Sequence, residues 1–377
     1  MYMNKKFEKI ATVLLNNLIA NKDSLVKQSM LNTGNMETES NIDLGYSLGF
    51  LENFKFENIP NNLKPKGKVF IILSFNEPLL LSIIPIFCAL ATGNKVFVRP
   101  SSKNKILFKS IWQPVIDDTQ IDLSVLNIEV SEYEEYIKEM KSVYFFGSFQ
   151  HAKNIYNLCS KYFVEFIPEV ETSDCKLLNH KSMEESEIIS DIKSTIISSF
   201  EHDGKICQRI CGTYINSEIY DNYREHLIDY LSSNSFEKIS KDILSAEVEL
   251  EKDIIESNPV TIYRNKDEFV VISPNENSNY VKKGYFNKSL WIIKYSDKEN
   301  LIETLKKRNF YLGLNIISKN NKFIKSIIDE TNFSRYTLNS NHCDISNDTG
   351  WGGNWPSGVG GYKTWYETFS NKYQIIK

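Results

Sequence analysis

The 377-residue sequence lacks the features of a nucleic-acid-binding protein or a secreted protein. It carries 44 Lys and Arg residues against 48 Asp and Glu residues, with no basic run and no interleaved aromatic pattern that would follow a phosphate backbone. The N-terminus has no continuous apolar stretch ahead of a small-residue cleavage site, and its apolar residues recur at helical spacing instead. We therefore expect no nucleic-acid partner and a cytoplasmic protein.

The six cysteines are too scattered to indicate a disulfide framework, so we expect reduced thiols. His202 with Cys207 and Cys211 provides one set of zinc-ligand types, but no second pair with matching spacing accompanies it. The sequence therefore predicts no metal site.

An apolar stretch from Val69 to Ala91 has about the length that a membrane span needs. However, Asn76, Glu77 and Pro78 interrupt it, where a charge and a missing backbone N–H would be costly in lipid. A buried strand, a turn and a helix that begins at Pro78 explain the same residues without that cost. We therefore expect no membrane span.

Repeated strand and helix patterns predict an α/β fold with mostly parallel sheets and helices on both faces. The change from one lobe to a second is expected near Glu171 to Asp174. The predicted strands are Lys68–Leu73, Lys95–Val98, Leu126–Val130, Val143–Phe146, Val164–Ile167, Gly212–Asn216, Ser289–Tyr295 and Leu314–Ile317. The predicted helices are Lys5–Asn21, Asn41–Phe54, Leu79–Ala91, Ile106–Ile116, Glu132–Met140, Phe149–Lys161, Ile188–Phe200, Ile219–Ser232, Lys298–Lys306 and Phe323–Glu330.

One cysteine stands in a segment that suits a nucleophile. The stretch "SFEHDGKICQRICGTYI" places Cys207 in a glycine-containing loop between a helix and a strand. A partly exposed thiol with a lowered pKa is what nucleophilic attack requires. A small buried cysteine with a packing role is the alternative, and this segment alone does not decide between them.

Several segments in order resemble the signatures of the aldehyde dehydrogenase superfamily. The stretch "GKVFIILSFNEPLLLSIIPIFCALATGNKVFVRPSS" is similar to its Pro-Trp-Asn-x-Pro strand–turn–helix with Ala-Gly-Asn and Lys-Pro-Ser. "VYFFGSFQHAKNIYNLCSK" is similar to the Phe-x-Gly-Ser turn, "FIPEVETSDCKLL" to the Glu-Leu-Gly-Gly segment and "DGKICQR" to Gly-Gln-x-Cys. "WGGNWPSGVGGYKTWYETFSNKYQIIK" resembles the C-terminal Gly-Gly run, so the matches cover most of the chain.

The resemblance implies an aldehyde-dehydrogenase-like fold of two α/β lobes with a C-terminal tail strand. A Rossmann-like cofactor-binding domain would occupy residues 1–171, and a catalytic domain carrying the nucleophilic thiol would occupy residues 172–345. Residues 346–377 would return to the cofactor lobe and form an oligomerisation strand. A homodimer is therefore expected.

The resemblance also assigns catalytic roles. Cys207 would attack an aldehyde or acyl carbonyl to give a thiohemiacetal or thioester, and Asn76 with the backbone N–H of Cys207 would hold the oxyanion. Asn76 could instead cap the helix that begins at Pro78. Glu169 matches the base that activates water, and its alternative is a surface carboxylate in an acidic stretch.

The residues implied to bind the cofactor are Ser74, Phe75, Arg99, Ser101, Ser102, Gly147, Ser148 and Phe286. The family's Lys-Pro-Ser-Glu is here Arg-Pro-Ser-Ser-Lys, so a ribose-binding carboxylate is replaced by flanking cations. We therefore expect NADP(H) in preference to NAD(H). The family's Glu-x-Phe-Gly-Pro is matched only at Phe286, which leaves the nicotinamide ribose without its Glu.

Three functions fit these motifs. The first is an NAD(P)-dependent oxidoreductase that acts on a small aldehyde or acyl group through Cys207. The second is an NADPH-dependent fatty-acyl or acyl-CoA reductase, which the "VRPSSKN" turn also resembles and which would take an acyl thioester as substrate. The third is a catalytically decayed dehydrogenase-fold scaffold.

Overall fold

The computed structural model of the chain describes residues 2–234, 244–265, 268–285, 287–308, 312–343, 352–358 and 363–372. The chain forms two compact units. The first unit extends to Val170 and includes residues 363–372, and the second unit begins at Glu171 and includes residues 352–358. The predicted change of domain at residue 171 falls beside this boundary, whereas the assignment of cofactor binding to one domain and thiol chemistry to the other stays a prediction.

The first unit is built on a parallel sheet. Five strands lie in the order β4, β3, β2, β5, β6, and every neighbouring pair in that order is parallel. The central strand is almost wholly buried, because both faces of a parallel sheet are covered by helices. The strands of this part of the chain are β1 (Leu63–Pro65), β2 (Lys68–Ile72), β3 (Lys95–Arg99), β4 (Leu123–Val125), β5 (Ser142–Gly147) and β6 (Glu165–Val170).

Helices alternate with these strands after three helices at the N-terminus. They are α1 (Tyr2–Ala20), α2 (Lys22–Thr33), α3 (Glu37–Glu52), α4 (Pro78–Leu81), α5 (Ile84–Ala91), α6 (Lys105–Thr119), α7 (Tyr133–Ile137) and α8 (Phe149–Lys161). Short 3-10 helices occupy Phe56–Asn58, Ser102–Asn104 and Val130–Glu132.

The second unit contains a mixed sheet in the order β13, β12, β7, β8, β11, β10, β9. Its neighbouring strands are parallel except for the antiparallel pair β9 and β10. The strands are β7 (Cys175–Asn179), β8 (Gly212–Asn216), β9 (Thr261–Asn265), β10 (Glu268–Ile272), β11 (Ser289–Tyr295), β12 (Gly313–Ser318) and β13 (Arg335–Leu338).

The helices of the second unit cover both faces of this sheet. Alternate residues of one strand enter different cores, so Leu177 packs in one apolar cluster and Leu178 in the other. The helices are α9 (Glu185–Phe200), α10 (Tyr220–Ser233), α11 (Leu244–Glu256), α12 (Asn279–Lys282), α13 (Lys298–Lys306) and α14 (Asn321–Glu330), with a 3-10 helix at Glu201–Gly204.

The last described segment belongs to the first unit. It contains α15 (Trp365–Thr368) and β14 (Ser370–Lys372), and β14 pairs antiparallel with β1 of the same chain. A short tail strand therefore exists and is paired within the chain. That it also pairs with a second subunit to form a homodimer stays a prediction.

Most predicted elements are confirmed, and four of them match their predicted bounds: Phe149–Lys161, Gly212–Asn216, Ser289–Tyr295 and Lys298–Lys306. The predicted helix Leu79–Ala91 is wrong as a single helix, because it is divided into α4 and α5. Pro85 lacks a backbone N–H and its ring would clash with the carbonyl four residues earlier, so a continuous helix is broken before it.

One other prediction also needs correction, and several elements were not predicted. The strand predicted at Leu126–Val130 is wrong, because pairing with β3 places the strand at Leu123–Val125 instead. The elements that were not predicted include α2, α11, α12, β1, β7, β9, β10 and β13. Among the described residues, no helix is both long enough and apolar enough to cross a bilayer.

Asn94 connects three separated parts of the first unit. Its side-chain oxygen accepts a hydrogen bond from the Gly67 N–H at 2.9 Å, and its amide nitrogen donates to the carbonyls of Ala89 and Phe369, each at 2.9 Å. The residue is 3% exposed, so water cannot replace these bonds. Asn94 therefore helps to fasten the C-terminal segment to the first unit.

Replacing Asn94 with Ala should lower the free energy of unfolding by about 2–3 kcal/mol, because buried backbone groups lose their partners. Denaturant-induced unfolding followed by circular dichroism measures this change. The matched control is Asn154→Ala on the exposed face of α8, which should change stability by less than about 0.5 kcal/mol. An equal effect of the two substitutions would contradict the role assigned to Asn94.

Candidate functional site

The predicted site residues of the first unit follow the carboxyl ends of four parallel strands. The chain proceeds from β2 to β3 and β4 on one side and then returns to place β5 and β6 on the other side. The strand order therefore reverses between β2 and β5. Ligands of open α/β sheets bind in the crevice outside the carboxyl ends of strands at such a reversal.

The turn after β2 holds Ser74, Phe75 and Asn76. The Ser74 hydroxyl donates to the side-chain oxygen of Asn76 at 2.6 Å, and the Asn76 amide donates to the Glu77 carboxylate at 3.3 Å. Asn76 is 5% exposed, so its amide is held in an almost dry environment. A preorganised hydrogen-bond donor requires such a fixed position.

The alternative role of Asn76 as a helix cap is not found. Helix α4 begins at Pro78 with Glu77, not Asn76, at the N-cap position, and the Glu77 side chain does not cap the helix. The Asn76 side chain is instead bonded to Ser74 and Glu77. The oxyanion role of Asn76 stays a prediction.

Positive charge is concentrated after β3, where Arg99, Ser101 and Ser102 lie. The Arg99 Nε is buried and has no hydrogen-bond partner among the described atoms. The Lys103 ammonium lies 5.1 Å from the ring centroid of Phe75, which joins this turn to the turn after β2. An unsatisfied guanidinium N–H is a suitable donor for a phosphate oxygen.

Gly147 and Ser148 form the turn between β5 and α8. Ser148 is the N-cap of α8, and its hydroxyl oxygen accepts the His151 N–H at 3.4 Å and lies 3.1 Å from His151 Nδ1. A Cβ at position 147 would approach the Phe145 ring to 2.5 Å, so any other residue would displace that ring. The turn leads into a helix N-terminus, where backbone amides favour a phosphate group.

Glu169 lies near the end of β6 and is half-buried. Burial raises the pKa of its carboxyl group to about 8, and a hydrogen bond from the Tyr144 hydroxyl partly opposes this change. The hydroxyl donates to Glu169 Oε1 at 2.7 Å. Glu169 is therefore not a fully exposed carboxylate, and a carboxyl group with a pKa near 8 can exchange a proton at physiological pH. Its role as the base stays a prediction.

Cys207 lies in the second unit, after a tight turn. His202 and Asp203 adopt left-handed backbone conformations with φ of 52° and 57°, which is rare for residues other than glycine. Gly204 follows with φ of 69°, and a Cβ there would lie 2.0 Å from the Asn287 carbonyl oxygen. Cys207 is half-buried, and the Thr172 hydroxyl donates to its carbonyl oxygen.

Buried charges accompany this turn. The Lys205 ammonium lies 3.0 Å from Asp203 Oδ2, and the Lys288 ammonium lies 3.5 Å from Asp203 Oδ1. All three residues are less than 9% exposed. The sequence analysis did not single out Lys205, although it stands where the family's Gly-Gln-x-Cys motif has Gln.

The other five thiols are disfavoured as nucleophiles because desolvation raises their pKa values, and they include Cys343, which is half-buried like Cys207. Burial raises the pKa of Cys159, Cys175 and Cys343 to about 12, and it also raises the pKa values of Cys88 and Cys211. All six cysteines are reduced, as the sequence predicted. Because the thiolate is the reactive form, raised pKa values disfavour these five thiols as nucleophiles, and the role of Cys207 stays a prediction.

Phe286 lies outside the described residues, so its predicted contact with the cofactor stays a prediction. The nearby Gly284 occupies the position of the family's Glu. A Cβ at Gly284 would lie 1.9 Å from the carbonyl oxygen of Thr172. The backbone of this unit therefore leaves no room for a carboxylate side chain at this position.

The structure contains no grouping of three His, Cys, Asp or Glu side chains that could hold a metal ion, within the residues that it describes. The predicted residues of the first unit are brought to one edge of its sheet: Ser74, Phe75, Asn76, Arg99, Ser101, Ser102, Gly147, Ser148 and Glu169. Tyr144 was missed by the sequence analysis. Its only sequence signal is a polar ring in an otherwise apolar strand.

The first unit has a parallel sheet whose strand order reverses at an edge of the kind that binds ligands. The second α/β unit carries a half-buried cysteine. Together these features define a class of two-unit α/β proteins with a thiol. Residues 8–243 match the sequence profile of the aldehyde dehydrogenase family. The chain belongs to the aldehyde dehydrogenase family. The predicted family and fold are thereby confirmed.

Individual relatives agree with this assignment. The chain is 25% identical to benzaldehyde dehydrogenase YfmT of Bacillus subtilis, over 43% of this chain and 34% of that protein. It is 25% identical to aldehyde dehydrogenase family 3 member A2 of Rattus norvegicus, over 82% of this chain and 67% of that protein. The match therefore spans about a third of one relative and about two thirds of the other.

The fold is also similar to solved structures. Succinic semialdehyde dehydrogenase from Streptococcus pyogenes, in complex with NADP+, matches 100% of this chain and 90% of its own with a TM-score of 0.83. The sequence identity is 14%, so this likeness concerns the fold alone.

Cys207 should react with iodoacetamide at neutral pH at least about 10-fold faster than the other cysteines, because burial keeps those thiols protonated and shielded. Peptide mass spectrometry at successive times measures the rate at each position. Cys207→Ser should remove the fast phase, whereas Cys343→Ser should leave it unchanged. Equal rates at Cys207 and Cys343 would favour the decayed-scaffold alternative.

Proposed function

We propose that the protein is an NAD(P)-dependent aldehyde dehydrogenase that oxidises a small aldehyde through a covalent intermediate on Cys207. The raised pKa of Glu169 is the observation that carries this proposal, because a carboxyl group with a pKa near 8 suits a general base. Family membership and the placement of nine predicted residues at one sheet edge support it. The identity of the aldehyde is left open.

The proposed reaction has two stages, oxidation of the aldehyde and hydrolysis of a thioester. The Cys207 thiolate adds to the carbonyl carbon, and the Asn76 amide donates to the oxygen that becomes negative in the thiohemiacetal. A bound nicotinamide cofactor would supply the hydride acceptor for the thiohemiacetal. The resulting thioester is attacked by water while Glu169 takes one proton of that water. The carboxylic acid then leaves, the Cys207 thiolate is restored, and Glu169 releases its proton to solvent.

The residues proposed to hold the cofactor are those of the first unit's sheet edge. Arg99, with its unsatisfied Nε, would bind a 2′-phosphate, and the amides after Ser148 would receive a pyrophosphate. We therefore propose NADP+ in preference to NAD+.

The alternatives have less support. The relatives named above are aldehyde dehydrogenases, which favours aldehyde oxidation over acyl-thioester reduction. Neither an acyl-CoA reductase nor a decayed scaffold is indicated by the comparisons. A carboxylate base with a pKa near 8 is useful for thioester hydrolysis, whereas reduction does not need it. The cytoplasmic location and the homodimer stay predictions.

Glu169→Gln should lower kcat for aldehyde oxidation by about 100-fold or more, because water is no longer deprotonated. In the unmodified protein kcat should rise with pH through about 8, since the carboxyl group must first lose its proton. Steady-state rates between pH 6 and pH 9.5 measure both effects.

The matched control is Glu165→Gln, on the same strand but exposed and paired with Lys66. It should preserve both the rate and the pH profile. If Glu169→Gln behaved like this control, Glu169 would not be the base. If it abolished aldehyde oxidation yet spared acyl-thioester reduction, the reductive alternative would be favoured.

The KM for NADP+ should be at least about 10-fold lower than the KM for NAD+, because a guanidinium pairs with a 2′-phosphate. Arg99→Gln should remove this difference by raising the KM for NADP+ alone. Lys109→Gln, an exposed cation on α6, serves as the control and should change neither constant. A clear preference for NAD+ would end this part of the proposal.

A further inference from the structure

Tyr144 reaches Glu169 across two neighbouring strands. Strands β5 and β6 pair in parallel, with Phe146 opposite Glu169 and Tyr144 opposite Ile167. Tyr144 and Phe146 point to the same face because they are two residues apart. This diagonal position brings the Tyr144 hydroxyl to 2.7 Å from Glu169 Oε1.

The Tyr144 ring is held by aromatic side chains from two parts of the chain. Its centroid lies 5.0 Å from that of Phe146, 5.6 Å from that of Trp365 and 5.2 Å from that of Phe369. The ring is 1% exposed. Its hydroxyl therefore has little freedom to leave the Glu169 carboxyl group.

The C-terminal segment that supplies Trp365 and Phe369 is itself fixed. Helix α15 begins with a capping box between Thr364 and Glu367, and Asn94 donates to the Phe369 carbonyl at 2.9 Å. The two aromatic rings also stack on each other at 6.2 Å with an interplanar angle of 11°. The position of Tyr144 therefore depends on the docked C-terminal segment.

We propose that Tyr144 is a positioning residue that orients the Glu169 carboxyl group and favours its ionised form through a hydroxyl held by Trp365 and Phe369. This inference rests on the proposed function of Glu169 as the base. A phenol O–H stabilises a carboxylate more than a neutral carboxyl group, so it acts against the effect of burial. Tyr144 thus keeps the base usable near physiological pH.

Other charged groups around β6 do not take this role. Lys66 pairs with Glu165, Lys161 of α8 pairs with Glu134, and His151 of α8 bonds to Ser148. Cys159 of α8 is held protonated by burial, with its pKa raised to about 12. Among the described residues, the Tyr144 hydroxyl is the group that forms a hydrogen bond with Glu169.

Tyr144→Phe should raise the pKa of Glu169 by about one unit, because a hydrogen bond to the charged form is lost. Infrared spectra recorded across pH follow the carbonyl band of the protonated carboxyl group, and subtraction of the Glu169→Gln spectrum identifies it. This measurement does not require activity. The matched control is Tyr223→Phe, which removes a buried tyrosine hydrogen bond to Asp191 at 3.0 Å in the second unit.

In Tyr144→Phe the pH profile of kcat should shift to higher pH by the same amount. The rate should therefore fall about 10-fold at pH 7 and recover at high pH. A purely structural defect would lower the rate equally at every pH, and that result would overturn the inference. An unchanged pKa of Glu169 in Tyr144→Phe would also overturn the inference.

Two outcomes separate this inference from the proposed function. If Glu169→Gln leaves the kcat profile unchanged, the assignment of the base fails, whereas the infrared shift still tests Tyr144. If Tyr144→Phe does not fold, Trp365→Leu retains the hydroxyl but removes one ring that holds it. That variant should also raise the pKa of Glu169, and an unchanged pKa would contradict the inference.

Discussion

Desolvation in the packed interior determines which ionisable groups of this chain remain available for chemistry. It raises the pKa values of five thiols, which disfavours them as nucleophiles and supports the proposal that Cys207 takes this role. The same effect brings the pKa of the Glu169 carboxyl to about 8, in the range where a base exchanges protons. Desolvation thus has two consequences: it keeps five thiols protonated, and it brings the pKa of one carboxyl group close to physiological pH.

Much of the fold and of the candidate site could be predicted from the sequence because local signals agreed with each other. The apolar strand before Asn76 and the turn at Gly147 and Ser148 each mark a strand end followed by a helix. Parallel pairing then brings such strand ends to one edge, so residues far apart in sequence become neighbours. The order of the motifs gave the family, and the sequence profile confirms it.

The remaining features depend on packing that sequence patterns do not contain. Tyr144 and Glu169 meet through the register of β5 and β6, and two of the rings that fix Tyr144, Trp365 and Phe369, come from a segment more than two hundred residues later. The exclusion of a side chain at Gly284 likewise results from the backbone of Thr172. The break between α4 and α5 was visible in Pro85, but the apolar periodicity obscured it.

The assignment of Cys207 as the nucleophile is tested most directly by trapping its acyl intermediate. The Glu169→Gln variant is mixed with an aldehyde and NADP+, quenched in acid and digested for peptide mass analysis. The peptide that contains Cys207 should gain the mass of the aldehyde less two hydrogen atoms, which is the mass of a thioester. Oxidation of the aldehyde with no adduct on Cys207, or an adduct on a different cysteine, would contradict the assignment.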